Sequence, residues 1–140
     1  MPASDSLGMI EGLSSIQSSF GAKETMDRLV AEIRAKGMSV FARIDHAAGA
    51  AEVGLTLRPT ELIIFGNARG GTPLMKSAQT IGIDLPLKAL VWEDAAGKTL
   101  ISYNEPSWIG QRHGVADAEA VVSKMTDLLR AIATTAGGHQ

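Results

Sequence analysis

The chain has 140 residues, 45% hydrophobic and 20% charged, enough to bury about two-thirds of its unfolded surface without help from a disulfide or a structural metal. A cysteine count of 0 excludes a disulfide framework, a thiolate metal site and a cysteine nucleophile. Thirteen basic and fifteen acidic residues, a formal net charge of -2 and only three Phe, two Trp and one Tyr argue against a nucleic-acid partner held by phosphate neutralisation or base stacking.

Residues 1–11 carry Asp5 and Glu11 and lack both a basic start and an apolar run. They read as a flexible lead-in rather than a signal peptide, and a cytoplasmic location is expected. No apolar run approaches the roughly 20 residues that span a bilayer, so no membrane partner is expected. A single domain is expected over 12–136.

Within it, Ile16, Ser18 and Phe20 alternate as a short first strand. Met26, Leu29, Val30 and Ile33 then recur at i, i+3, i+4 and i+7, and Gly37 follows: an amphipathic helix with a glycine stop. Four strands follow at 38–45, 61–66, 87–94 and 98–104, the last two joined by Ala95-Ala96-Gly97 as a hairpin. Asp117 is a good N-cap for a final helix whose stripe is Val121, Val122, Met125, Leu128, Leu129 and Ile132, ended by Gly137 and Gly138. The class is α+β: strand, helix, four strands, helix, in a largely antiparallel five-stranded sheet of order 1-5-4-3-2 with two main helices on one face. The expected core includes Leu29, Ile33, Ile64, Val91, Ile101, Val122 and Leu129. The connections 46–60 and 67–85 are long for such a meander, so each should hold a short helix or carry function.

The stretches FARIDHAAGA, LIIFGNARGGTPLM, IDLPLKALVWED and YNEPSW…RH resemble, in order, the signatures of the family known as domain of unknown function 302, over about residues 12–114. The resemblance implies a fold similar to TATA-binding-protein-like domains and a homodimer. It implies no reaction. Many members have proline after the Asn of FGN, where this chain has Ala68.

Candidate functional residues fall in three places. Asp45-His46 closes the second strand, and His46 is in phase with Met38, Val40, Ala42 and Ile44, so it should point toward the core and need a partner. In the stretch GNARGGTP, Gly66, Gly70 and Gly71 permit close approach of backbone to a ligand, Thr72 is a credible N-cap and Pro73 suits a first helical position. The N–H groups at that helix start, with the Arg69 guanidinium, could hold a phosphate or carboxylate. The Lys-Ser/Thr that would complete a P-loop is missing. In YNEPSWIGQRHG, Asn104 can cap a short helix with Pro106 in its first turn, leaving Arg112 and His113 near its end. In the expected sheet Asn67, Arg69, Thr72, Lys88 and Asn104 converge on one edge, away from His46. No histidine spacing suits a metal, and no cofactor is expected.

These residues favour a small-molecule binding domain, in which Arg69 and Lys88 neutralise an anionic metabolite and Asn67 and Asn104 read its polar groups through the 66–73 loop. One alternative is an enzyme with His46 or His113 as acid–base catalyst and Asp45 as orienting carboxylate. The other is a purely structural or regulatory homodimer.

Overall fold

The computed structural model describes residues 10–139, so residues 1–9 of the expected lead-in lie outside the described residues. The elements run β1 (Leu13–Gln17), α1 (Ala22–Ala35), β2 (Ser39–Asp45), α2 (His46–Glu52), β3 (Thr60–Gly66), α3 (Ala68–Ser77), a 3-10 turn (Gln79–Ile83), β4 (Leu87–Glu93), β5 (Thr99–Asn104), α4 (Pro106–Arg112) and α5 (Glu119–Ala136). The five strands form one sheet of order β1-β5-β4-β3-β2, antiparallel at every pairing, as the element order implied.

The first helix forms for the reason its spacing gives: Met26, Leu29, Val30 and Ile33 are all buried against the sheet. It stops where Gly37 takes a φ of 79° and the Met38 N–H donates back to the Ile33 carbonyl. Leu129, Ile132, Ala133 and Ala136 of α5 complete the core from the same side, facing Ile63, Phe65, Ala89, Val91, Ile101 and Tyr103. The β4–β5 hairpin is held by Asp94, a buried carboxylate that accepts the N–H groups of Ala96 and Lys98.

Four expectations need correction. Ile64 does not face the helices; Ile63 and Phe65 do, both 0% exposed, while Ile64 is half-buried opposite Lys88 on the other face. Leu-Ile-Ile-Phe is apolar at every position, so it contains no alternation from which to read the phase. Val122 is likewise half-buried, packed against a second cluster of Leu74, Ile81, Ile109, Ala118 and Met125 under α3 and α4. The first strand is Leu13–Gln17 and stops before Ser18, whose buried hydroxyl pairs with that of Thr25, while Phe20 lies 4.2 Å from the Arg28 guanidinium. Finally, Asp117 has a φ of 57° and caps nothing; α5 begins at Glu119 after Ala118.

The two long connections contain the expected short helices. Gly12, with a φ of 77°, lies against the ring of Trp108, which packs on the second cluster, and a β-carbon there would collide with that ring.

Candidate functional site

Asn67 decides the geometry of the opening segment. Its side chain accepts the Gly70 N–H at 2.8 Å and its carbonyl accepts that of Gly71, so α3 begins at Ala68, five residues earlier than the Thr72-Pro73 pair suggested. Gly70 and Gly71 are therefore helical rather than part of a loop, and their N–H groups are occupied by the protein. Thr72 and Pro73 lie inside the helix. The anion cradle expected from these glycines and from a helix start at Thr72 does not form. What Gly70 supplies is closeness: a β-carbon there would sit 3.4 Å from the Met125 methyl group of α5.

That approach shapes a cavity of about 650 Å³ between α3, α5 and the ends of β2, β3 and β4. Its body is apolar, built from Met38, Phe41, Met75, Leu85, Leu87, Met125 and their neighbours, while Asn67, Arg69, Gly70, Gly71 and Thr72 contribute one wall. Phe41 reaches it from an irregularity in the β2–β3 pairing between Val40 and Ala42. Two cations, Arg69 and Lys124, line it, and neither has an ion-pair partner among the described residues. Sequence reasoning missed Lys124. Its signal was present, since it sits three residues after Val121 and four before Leu128, an interruption in the apolar stripe of α5.

Lys88 and Asn104 do not join this group. Both lie on the face of the sheet opposite α1 and α5, beside a shallower cavity of about 400 Å³ with Ile10, Leu13, Leu62, Leu90 and Trp92. The Lys88 ammonium donates to the carbonyls of Asp84 and Pro86. Asn104 ends β5 and caps nothing, since Glu105 precedes α4.

Asp45 and His46 also part from expectation. The Asp45 carboxylate caps α2 through the Ala48 N–H, and His46 is exposed as the first residue of that helix. The inward phase read from Met38 and Val40 is lost at the pairing irregularity between Val40 and Ala42, which puts Ile44 on the opposite face with Leu62, and the chain then turns into a helix at His46. Asp45 therefore orients a helix end and not a catalytic base.

Of the two candidate histidines, His113 is the one whose ring has partners. Its Nε2 lies 2.5 Å from Asp84 Oδ2 and its Nδ1 lies 2.9 Å from the Thr80 hydroxyl, with the imidazole side chain 9% exposed. Arg112 donates to the same Asp84 oxygen at 2.7 Å. Burial alone raises the Asp84 carboxyl, but the hydrogen bonds from His113 and Arg112 outweigh it and hold the group below the usual carboxylate range. None of these four side chains lines the cavity beside α3. Among the described residues no group of three or more histidine, aspartate or glutamate side chains is placed to hold a metal.

Comparison with known proteins bears on family and fold. The family model described as domain of unknown function DUF302 matches residues 14–132. The curated proteins named fluoride-specific ion channel FluC 1 of Brucella suis biovar 1 and of Brucella abortus biovar 1 are each 49% identical over 113 residues, covering 81% of this chain and 44% and 42% of those proteins. The chain thus spans less than half the length of the curated relatives it matches. Among the described residues no helix is long and apolar enough to cross a membrane. The crystal structure of an uncharacterized conserved DUF302 protein from Bacillus stearothermophilus matches with a TM-score of 0.79 at 20% identity, covering 87% of this chain and 95% of that one.

Proposed function

We propose, starting from the fact that the chain belongs to the DUF302 family, that it binds a small amphipathic anion in the cavity beside α3. The observation that carries this reading is the pairing of an apolar interior with two cations, Arg69 and Lys124, that lack ion-pair partners among the described residues. A volume of about 650 Å³ falls within the range of roughly 300–1,000 Å³ that suits small-molecule ligands. Met38, Met75 and Met125 give the wall unbranched, adaptable side chains that accommodate more than one apolar shape. The ligand class is a carboxylate or phosphate attached to an aliphatic or aromatic body. A thermal-shift panel of such compounds tests it, because a ligand that binds only the native state raises the melting temperature by mass action. Binding that survives both Arg69→Ala and Lys124→Ala would refute the assignment of the anion to these cations.

The relatives favour a second reading, in which the domain works beside a membrane fluoride channel. Its support is that the similarity falls within proteins named for such a channel while covering less than half their length. Co-purification of this chain with a fluoride channel from the same cells tests it, and separate elution of the two would count against it.

A further inference from the structure

We propose that Thr80 is a nucleophilic hydroxyl, activated by His113 and aligned through Asp84, that accepts an acyl group from small activated esters. The three side chains form a continuous hydrogen-bonded line: Thr80 Oγ1 to His113 Nδ1 at 2.9 Å, and His113 Nε2 to Asp84 Oδ2 at 2.5 Å. A nucleophile within reach of a base, and a base oriented by a third group, is the arrangement that activates a hydroxyl.

The protonation pattern follows from the partners. Asp84 accepts from both Arg112 and His113, so its carboxylate fixes the imidazole proton on Nε2. In the tautomer with its proton on Nε2, the ring presents the Nδ1 lone pair to Thr80, which donates its O–H. Asp84 is a positioning residue here, held by Arg112 from α4 and with its carbonyl engaged by Lys88 from β4. Access differs along the line. The imidazole is enclosed, whereas Thr80 is exposed on the 3-10 turn. Ile83, three residues on and so on the same side of that turn, is 75% exposed and offers an apolar surface to an acyl chain or an aromatic leaving group.

In the reaction the Thr80 oxygen attacks the ester carbonyl carbon as its proton passes to His113 Nδ1. The new C–O bond forms, the bond to the leaving alkoxide or phenolate breaks, and the imidazolium returns the proton to the leaving group or to water. The product is a threonine ester. Water, deprotonated by the same imidazole, hydrolyses it and restores the hydroxyl.

The test uses the full chain with p-nitrophenyl acetate, following nitrophenolate release and mapping acetyl groups by peptide mass spectrometry. The expected result is a burst approaching one equivalent per chain with the acetyl group on Thr80. Thr80→Val abolishes that burst and Thr80→Ser keeps it. His113→Gln slows it by about 100-fold, the scale of a general base. Melting curves establish that each variant is folded, and the Ser and Val pair decides the matter should His113→Gln fail to fold. A burst that persists in Thr80→Val, an acetyl group found on His113 or on lysines instead of Thr80, or release equal in all folded variants overturns the proposal.

Discussion

The Asn67 side chain accepts the Gly70 N–H at 2.8 Å and thereby starts α3 at Ala68. That bond sets where the cavity wall begins and how near Gly70 comes to Met125. Replacing Asn67 with alanine should cost about 1 kcal/mol, the usual loss for such a cap, and Asn67→Asp should recover most of it. Urea denaturation of the two variants checks this, and an unchanged midpoint for Asn67→Ala would show that the cap contributes nothing.

The register of β3 gives a paired forecast. Ile63→Ala empties a fully buried site and should cost about 2–5 kcal/mol, whereas Ile64→Ala, half-buried on the face away from α1 and α5, should cost clearly less. Equal losses in denaturant midpoint would contradict the facing of this strand.

Gly12 combines a φ of 77° with contact against the Trp108 ring. Gly12→Ala should therefore destabilise by more than the roughly 1 kcal/mol that backbone conformation alone would cost, and Trp108→Leu in the same chain should relieve part of it. A double-mutant cycle measures the coupling.

Acid should weaken the contact between the 3-10 turn and α4. The Asp84 carboxyl has a lower pKa folded than unfolded, so its contribution is fully present above the unfolded value of about 4 and is lost as the pH falls through the folded value. Wild type should lose more stability than Asp84→Asn on acidification below about pH 4. Parallel curves of stability against pH for the two proteins would show that Asp84 does not contribute.

The sheet edges β1 and β2 and the face opposite α1 and α5, where Ile10 and Ile44 are exposed and Leu62, Leu90 and Trp92 half-covered, are the surfaces on which a second copy is expected to pack. Light scattering at micromolar concentration should give a dimer mass that falls toward the monomer in Ile44→Lys. A monomer throughout would remove this expectation and leave the fold intact.

The parts of the fold legible in the sequence are those with a period. The stripe Met26, Leu29, Val30, Ile33 has one, and so does Met125, Leu129, Ile132; both helices pack as their spacing requires. The sheet order followed from the element order, with the last four strands read as a meander and the first placed beside the fifth. The start of α3 was misplaced because Asn67 and Thr72-Pro73 both resemble helix starts, and choosing between them depends on which cap the surrounding packing favours. The candidate site is tertiary in the same way. Lys124 meets Arg69 across a cavity with 54 residues between them in the chain, and Asp84 reaches His113 across 28. No local pattern encodes such meetings.

Pro73 sits within α3, and it has no N–H to offer the Arg69 carbonyl one turn earlier. Two helical glycines precede it, so the segment carrying Arg69 has little intrinsic tendency to stay helical and is held by Leu74 and by its contact with α5. Its amides should exchange with deuterium sooner than those of α1 or α5. That weakness makes α3 a reporter: occupancy of the neighbouring cavity should register as slowed exchange at residues 68–72 before any change is visible in the rest of the sheet.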